Sequence, residues 1–371
     1  MKTGRRYIKV TERRINYYKI SQVAKDLDIS QRTIRYYEQI GLLPSSRRTK
    51  GRMRLFSEGE VKLIRKIKEL QNEYHMPLEN IKAKLQKEVD TFVQEREKGK
   101  VKIVVDSTSS LPTEILQKYG IEVIPMKVIF GKSVFEDGEN MNTGELIKML
   151  DSGRHNPRTS PPDYEEIVAI YNNVYERGAE KIISIHLSSG ISDLVFAAKK
   201  ASTYMSHFLD VEVIDSQCMA LGSGLLAIEA AKMLEKGLSF NEVTAALRKM
   251  VPKVKELLLV DSLEYLTRGK DVHEFLGLLL DFKPVFTTEN GKVKLLTRAD
   301  NRDEIKETFV SLAGKTQKSA GIMYSFLKQD ADKLHTDLKK VMDPKMSLLK
   351  TEISTVPSVY FGPKSLGIAV F

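Results

Sequence analysis

The sequence predicts a multidomain protein in which a small, mainly helical, winged helix-turn-helix module precedes a larger α/β body. Three observations lead to this fold class. Basic residues are concentrated in the first hundred positions of the 371-residue chain. Apolar residues recur there at the three- and four-residue steps of amphipathic helices. From Val101 onward, short β-branched runs such as VKIVVD (101–106) and KIISIHL (181–187) alternate with helical stretches, which predicts α/β units on a mostly parallel sheet.

Charge is distributed unevenly between these two parts. Residues 1–100 hold 25 Lys and Arg against 13 Asp and Glu, whereas residues 101–371 hold 34 against 36. The net charge of +10 therefore comes from a module of +12 joined to a body of −2. A localised basic excess favours a polyanionic partner such as nucleic acid, although a merely solvated basic surface would have the same composition.

Composition also excludes several classes of protein. A single cysteine, Cys218, rules out an internal disulfide framework and is typical of a reducing compartment. No apolar run approaches the ~20 residues that a membrane-spanning helix needs. The basic start, MKTGRRYIKVTERR, lacks the apolar segment of a signal peptide. The sequence thus predicts a soluble, cytoplasmic protein without a membrane span.

Residues 18–44 have the spacing of a helix-turn-helix. Ser21 is predicted to cap a first short helix, and Ser30 to cap a second helix over 31–40, which Gly41 ends. Three apolar side chains of the second helix are predicted to face the core: Ile34, Tyr37 and Ile40. The opposite face carries the residues predicted to contact DNA: Gln31, Arg32, Arg35 and Tyr36.

A short basic hairpin follows the second helix. The stretch SSRRTKGRMRLF (45–56) gathers arginine, lysine and glycine at a predicted tip, and such a hairpin beside a recognition helix is a wing. Arg52 and Arg54 of this wing are predicted DNA contacts. Ser57 and Glu60 then match the Ser-x-x-Glu capping box, which predicts the start of another helix.

One further helix of the module is predicted to begin near Pro77. Its apolar residues form a narrow stripe: Leu78, Ile81, Leu85, Val89 and Phe92. Their spacing is compatible with a coiled-coil seam between two chains, and equally with packing onto the module itself. Spacing alone leaves both interpretations open.

Residues 18–85 resemble the DNA-binding domain of the MerR family. The resemblance is carried by YKISQVAKDLDISQRTIRYYEQIGLLP, GRMRLFSEGEVKLIRKIKELQ and MPLENIKAKL, in that order. It implies a homodimer joined by the long helix after the module. It also implies a pseudo-palindromic, double-stranded promoter that is distorted when an effector binds. RNA polymerase would be affected indirectly, through the promoter.

Polar residues in the body gather just after its predicted strands. They lie in DSTSS (106–110), RTSPP (158–162), SSGIS (188–192) and DSQ (215–217). Ligands bind at the carboxyl ends of parallel strands, and hydroxyls with free amides at a helix start suit an anion. Ordinary helix caps and turns use the same residue types, so each cluster alone has two interpretations.

Residues 101–371 resemble the DegV family of fatty-acid-binding proteins. The matching segments run in order over the whole body and include VKIVVDSTSSLP, FEDGENM, PRTSPPDYEE, ISIHLSSGIS, FKPVFTTENGKV and FGPKSLGIAVF. The resemblance implies two α/β lobes and an acyl chain buried in an apolar tunnel. It also implies the hydroxyls that hold the head group: Thr159, Ser160, Ser189 and Ser192.

The chain departs from the DegV pattern close to the expected head group. Family members that present fatty acids to a kinase have a histidine in a His-x-Gly-Pro motif, whereas this chain has Tyr360 there. Ser110 likewise stands where the family usually has an acidic residue. We include Tyr360 among the predicted ligand-binding residues. Loss of the histidine favours a ligand sensor over a carrier.

Together, the two resemblances predict five segments. They are a basic arm (1–17), a MerR-like winged helix-turn-helix (18–76), a dimerisation helix with linker (77–100) and two DegV-like lobes (101–255 and 256–371). This organisation implies a one-component, ligand-responsive transcriptional regulator that binds promoter DNA as a dimer and senses a fatty acid or acyl derivative. The alternative is a carrier that presents acyl chains to a fatty acid kinase, with the module as a DNA tether.

No feature of the sequence predicts catalysis. The sequence lacks a Gly-x-Ser-x-Gly elbow, a P-loop, a Gly-x-Gly-x-x-Gly motif and the spacing of cysteine and histidine that binds metals. His186 lies in an apolar strand, where a packed core histidine is expected. We therefore expect no enzyme, no metal and no cofactor, but a bound fatty acid or acyl ligand.

Overall fold

The computed structural model describes residues 17–44, 46–48, 54–151, 156–206, 209–260, 265, 283–299, 302–313 and 319–371. These residues form two compact units. The first takes its described residues from Met1–Lys100 and Val174–Ala179, and the second takes them from Val101–Asn173 and Glu180–Phe371.

The first unit combines helices with a small antiparallel sheet. Its described helices are α1 (Ile20–Asp26), α2 (Gln31–Gln39), α3 (Glu58–Asn72) and α4 (Leu78–Lys100). Its described strands are β1 (Tyr17–Lys19), β2 (Arg47–Arg48) and β3 (Arg54–Ser57), in the order β1-β3-β2. Helix α4 runs to Lys100, directly before the first strand of the second unit, so the predicted linker is helical.

Two predicted helix caps of the first unit are confirmed. The Ser30 hydroxyl accepts the Thr33 N–H at 2.9 Å and caps α2. At α3, the Ser57 hydroxyl accepts the Glu60 N–H, and Glu60 accepts the Ser57 N–H at 2.7 Å. Both caps are local in sequence and satisfy N–H groups that a helix start leaves without partners.

The predicted cap of α1 is wrong. Helix α1 begins at Ile20, so Ser21 lies inside its first turn rather than before it. The side chain of Gln22, a residue inside the helix, accepts the N–H of Lys19 at 2.8 Å. A glutamine that reaches back to the residue before the helix therefore replaces the predicted serine cap.

One hydrophobic core joins the helices of the first unit. Ile34 and Tyr37 of α2 are buried in it, as predicted. Ile81 and Leu85 of α4 are fully buried in the same cluster. The α4 stripe thus packs onto its own module, and these two side chains have no surface left for a seam with a second chain. The side chain of Phe92 lies outside the described residues.

The second unit contains both helices and strands. The described helices after Lys100 are α5 (Thr113–Tyr119), α6 (Thr143–Asp151), α7 (Tyr164–Glu176), α8 (Leu194–Met205), α9 (Leu221–Glu235), α10 (Phe240–Met250), α11 (Arg302–Ala313), α12 (Lys328–Val341) and α13 (Thr355–Phe361), with short 3-10 helices at Ser107–Ser109 and Val251–Lys253. The described strands are β4 (Val101–Asp106), β5 (Glu122–Ile124), β6 (Lys127–Phe130), β7 (Ser133–Glu136), β8 (Arg158–Ser160), β9 (Lys181–His186), β10 (Asp210–Asp215), β11 (Lys255–Leu259), β12 (Lys283–Glu289), β13 (Lys292–Ala299), β14 (Ser319–Tyr324), β15 (Ser347–Glu352) and β16 (Leu366–Val370).

These strands form three sheets, of which one is parallel. The sheet β10-β9-β4-β5 is parallel throughout, as the sequence predicts. The sheet β13-β12-β11-β16-β14-β15 is antiparallel except for the pair β14–β15, so a mostly parallel body is wrong here. Asn290 and Gly291, both at positive φ, close the β12–β13 hairpin. Strand β16 enters between β11 and β14 antiparallel to both. The third sheet, β7-β6-β8, is antiparallel.

Helix α9 packs against both larger sheets. Its Leu226 and Ala230 join the core of the parallel sheet, whereas Leu221 and Leu225 join the core of the six-stranded sheet. Glycine also permits a close approach of α9 to the 3-10 helix Ser107–Ser109, because a Cβ at Gly224 would lie 2.7 Å from the Ser109 main-chain oxygen. A helix buried on two sides explains its nearly continuous run of small and apolar residues.

No helix in the described part of the chain has the length and apolar character needed to cross a membrane.

The burial of Leu85 yields a test. Leu85→Glu should destabilise the first unit by at least ~3 kcal/mol, since it places a charge in a packed core. Hydrogen-exchange mass spectrometry of the full chain should show faster exchange across α2 and α3. Lys84→Glu, at an exposed neighbouring position of α4, is the control and should leave exchange unchanged. Normal protection in the Leu85 variant, with only its association weakened, would restore the seam interpretation.

Candidate functional sites

One face of α2 is open to solvent and basic. The four residues predicted to contact DNA on this helix are all exposed: Gln31, Arg32, Arg35 and Tyr36. Tyr36 keeps 48% of its surface, and an Arg35 Nη atom lies 3.5 Å from the Gln31 amide oxygen. Two guanidinium groups, an amide and a phenol on one helix face can bind phosphates and base edges.

Arg54 contacts a carboxylate inside its own module. Its Nε donates to Glu38 at 2.6 Å, and the other oxygen of Glu38 accepts the Ser46 N–H at 2.7 Å. Glu38 therefore links α2 to β3 and to the segment before β2. The interaction gives Arg54 a structural role that sequence reasoning missed. Arg52 lies outside the described residues.

Two lysines bind the C-terminal ends of the two helices of the predicted helix-turn-helix. Lys68 of α3 donates to the Leu27 carbonyl at 2.6 Å, and Lys82 of α4 donates to the Ile40 carbonyl at 2.6 Å. Ammonium groups at helix C-termini satisfy free carbonyls and oppose the negative end of the helix dipole. Part of the module's positive charge thus stabilises the fold.

A buried carboxylate lies at the carboxyl end of the parallel sheet. Asp106, at the end of β4, accepts the main-chain N–H groups of Thr108 and Leu187, each at 3.0 Å. It lies 3.2 Å from His186 Nδ1, and His186 Nε2 lies 2.8 Å from the Ser184 hydroxyl. Ser184, His186 and Asp106 are all fully buried, which confirms His186 as a core residue. These contacts join the end of β4 to the end of β9, directly before the SSGIS turn.

Within that turn, the two predicted ligand serines have different partners. The Ser189 hydroxyl donates to the Asp215 carboxylate at 2.5 Å, and the Ser189 N–H donates to it at 3.2 Å. Ser192 accepts the Leu194 N–H at 3.3 Å, at the start of α8. Both serines remain half-buried. Asp215, which sequence reasoning did not select, fixes the turn from the end of β10.

The tip of the β12–β13 hairpin packs against the same turn. The Ser188 hydroxyl donates to the Gly291 carbonyl at 2.5 Å. A Cβ on Gly190 would lie 2.6 Å from the Gly291 oxygen, and one on Gly291 would lie 2.5 Å from the Ser188 hydroxyl. Only glycine fits either position, so the hairpin sequence and the turn sequence depend on each other.

Two other predicted ligand residues lie side by side. The hydroxyls of Thr159, in β8, and Tyr360, in α13, are 2.5 Å apart. Ser160 donates its hydroxyl to the Pro161 carbonyl at 2.9 Å. All three predicted residues are half-buried. Thr159 and Tyr360, which are about two hundred residues apart in the sequence, thus meet through their hydroxyls.

A second buried carboxylate, Glu256 of β11, contacts the start of α9. Its two oxygens accept the N–H groups of Met219 and Gly222, each at 2.6 Å. Burial raises the pKa of Glu256, while these hydrogen bonds oppose the rise. The contact holds α9 against β11, close to the DSQ motif.

An open cleft of about 800 Å³ lies among β11, β12, β13 and α11. Its walls combine leucines with charged and hydroxyl side chains: Leu257, Leu295, Leu296 and Leu312 with Lys255, Lys294, Glu289 and Glu307. None of the five predicted ligand residues lines it. The acyl tunnel expected at Thr159 and Ser189 remains a prediction. Within the described ranges, no group of three or more His, Cys, Asp and Glu side chains could hold a metal ion.

The second unit has the fold of solved DegV structures. One, described as showing fatty acid binding of a DegV family protein from Thermus thermophilus, has a TM-score of 0.68 at 27% identity and covers 73% of this chain and 99% of that one. Another, described as DegV, a fatty acid binding protein from Bacillus subtilis, has a TM-score of 0.66 at 27% identity, with coverage of 73% and 98%.

Sequence comparison assigns the family. A family model described as an uncharacterised protein of the DegV family matches residues 100–371, and the model of MerR helix-turn-helix family regulatory proteins matches residues 18–88. The Bacillus subtilis protein DegV is 28% identical over 277 residues, which cover 72% of this chain and 98% of that protein. A DegV domain-containing protein of Streptomyces coelicolor is 28% identical over 277 residues, covering 73% and 98%. The chain belongs to the DegV family and carries a MerR-type region ahead of its DegV body.

The Glu38 contact predicts a pH dependence. Burial alone would raise the pKa of Glu38, but hydrogen bonds from Ser46 and Arg54 outweigh it and hold the pKa below its usual value of 4.5. Because the pKa of Glu38 is lower in the folded state, the carboxylate stabilises the module when pH is above the pKa of the unfolded state. This stabilisation is lost as pH falls through the pKa of the folded state. Glu38→Gln should therefore cost about 1 kcal/mol at pH 7.

Denaturant unfolding of wild type and Glu38→Gln, compared between pH 7 and pH 3.5, measures this effect. The difference in unfolding free energy should shrink once pH falls below about 4.5. Glu73→Gln, at the exposed C-terminus of α3, is a charge-matched control and should show no such trend. A pH-independent difference for Glu38→Gln would contradict the account.

Proposed function

We propose that the protein is a one-component, ligand-responsive transcriptional regulator. A winged helix-turn-helix binds promoter DNA as part of a homodimer, and a two-lobed DegV body senses a fatty acid or acyl derivative. RNA polymerase responds indirectly, through the promoter. The observation that carries the proposal is the fusion, in one chain, of a MerR match with an exposed basic helix face to a complete DegV match.

The proposed segments follow this division of labour. The arm (1–17) and the winged module (18–76) face the DNA, and the segment 77–100 connects them to the lobes (101–255 and 256–371). Because Ile81 and Leu85 fill the module's own core, dimer contacts have to come from other surfaces. A two-fold protein would place one recognition helix in each of two half-sites spaced by a helical turn of DNA.

On the DNA side, α2 provides the recognition surface. Arg32, Arg35 and Tyr36 bind phosphates and base edges, with Gln31 beside them and Arg52 at the wing. Arg54 acts mainly by fixing β3 to α2, because Glu38 already occupies its Nε. The positive charge of residues 1–100 adds a sequence-independent attraction that salt weakens.

On the ligand side, four hydroxyls and Tyr360 receive the polar end of an acyl chain. Burying the chain is favourable by roughly 0.8 kcal/mol per CH₂, whereas a buried carboxylate costs several kcal/mol without donors. Thr159, Ser160, Ser189 and Ser192 are the proposed donors. The Ser160 and Ser189 hydroxyls donate here to the Pro161 carbonyl and the Asp215 carboxylate, so each has to turn toward the head group when the ligand binds. Tyr360 can donate one hydrogen bond but supplies no positive charge. The site therefore suits an acid held by hydroxyls alone, or a neutral acyl ester or thioester.

The DNA proposal is tested by Arg35→Ala. Loss of one charged contact should weaken DNA binding about 10- to 100-fold and reduce the steepness of its salt dependence. Gel shifts and fluorescence anisotropy on a duplex selected by the protein from a random library measure both quantities. Lys84→Ala, an exposed α4 charge, is the control for net charge. Wild-type affinity in Arg35→Ala would remove α2 from the interface.

The ligand proposal is tested by calorimetry with a series of fatty acids and their methyl esters. Ser189→Ala and Thr159→Val should each cost about 1–3 kcal/mol of binding free energy, because each removes a hydrogen bond to the head group. Tyr360→Phe should cost less. Thr203→Val, an exposed α8 hydroxyl bonded to its own helix, is the control. Undiminished binding by both variants would place the site elsewhere, and no acyl binding by wild type would overturn the sensor proposal.

A further inference from the structure

The start of α13 is held by a residue far away in the sequence. Ser354 occupies the position before the helix, but its hydroxyl caps no helical N–H. Instead, Asp137 accepts the N–H of Thr355 at 2.9 Å with one oxygen and the N–H of Val356 at 3.2 Å with the other. Asp137 is only 3% exposed. The FEDGENM motif, which contains it, has no part in the site described above.

The other end of α13 is held by the same sheet. Asp137 directly follows β7, and Thr159 lies in β8; both strands pair with β6. The Thr159 hydroxyl lies 2.5 Å from that of Tyr360 in the last turn of α13. Residues in or directly after strands of the β7-β6-β8 sheet thus contact the seven-residue helix α13 at both its first and its last turn.

We propose that Asp137 is a positioning residue that sets the Tyr360 hydroxyl against Thr159. The proposal rests on the proposed function, because it makes Asp137 act on the polar end of the acyl site. A helix this short is not stable alone, so its position depends on the packing of its buried side chains and on the partners of its two ends. A carboxylate suits the first turn because it accepts two N–H groups and opposes the positive end of the helix dipole.

Asp137→Asn tests the hydrogen bonds of Asp137 without changing the size of its side chain. The amide keeps the shape of the side chain, but its NH₂ group faces an N–H donor that the carboxylate accepted. Thr355→Pro is a second variant, which deletes the N–H bonded to one Asp137 oxygen at a helix position where proline is tolerated. Because it also removes the Thr355 hydroxyl, which donates to the Met141 carbonyl at 3.4 Å, Thr355→Val is its matched control. Asp343→Asn is the matched control, since the exposed Asp343 accepts one main-chain N–H in a turn.

Acyl binding gives the first readout. By calorimetry with palmitate and methyl palmitate, Asp137→Asn and Thr355→Pro should each weaken binding about twofold to fivefold, and no more than Tyr360→Phe does, because Asp137 acts only through the Tyr360 hydroxyl. If Asp137 acts through Tyr360, adding Tyr360→Phe to Asp137→Asn should weaken binding no further. Asp343→Asn should bind as wild type. Additive losses in the double variant, or unchanged binding in both Asp137→Asn and Thr355→Pro, would overturn the proposal.

The second readout needs no ligand. In spectra of ¹³C-tyrosine-labelled protein, Tyr360→Phe identifies the Tyr360 resonance. This resonance should move in Asp137→Asn and in Thr355→Pro and stay in place in Asp343→Asn. If wild type binds no acyl ligand, the proposed function fails while this spectrum still decides whether Asp137 positions Tyr360. An unmoved resonance in the folded variants overturns the positioning itself.

Discussion

The DegV body is organised by the need to surround buried carboxylates with donors. An isolated carboxylate in an apolar interior costs several kcal/mol, so each one requires hydrogen-bond partners. Asp106, Asp137 and Glu256 each accept two main-chain N–H groups. At least one of the two comes from a distant segment in every case. Each carboxylate therefore joins two parts of the body, and the three contacts fix the SSGIS turn, α13 and α9.

The sequence predicts those features that depend on near neighbours. Ser30 and Ser57 cap helices whose first turns follow them, and β-branched residues place the first body strand at Val101–Asp106. The buried face of α2 also follows from spacing. Ser21 shows the limit of this reasoning, because two adjacent polar residues competed for one helix start and the longer Gln22 side chain reached the amide.

Features that depend on distant partners could not be predicted. Arg54 is of a residue type and in a basic segment typical of DNA contacts, and only the fold shows that Glu38 lies within hydrogen-bonding distance of it. Family resemblance implied that Thr159 and Tyr360 lie near the same head group, whereas the contact between their hydroxyls and the proposed role of Asp137 come from the structure alone. The antiparallel second sheet was missed because helical stretches suggested crossovers, whereas a hairpin and an inserted final strand determine its order.

A ligand-responsive regulator couples acyl binding to DNA binding in one chain, and a single titration measures this coupling. A selected duplex carrying a fluorophore at each end is bound by full-length protein, and palmitate is added while anisotropy and energy transfer are recorded together. The account predicts that saturating ligand changes either the affinity or the end-to-end distance of the bound DNA. Ligand binding confirmed by calorimetry, with both DNA signals unchanged, would contradict it.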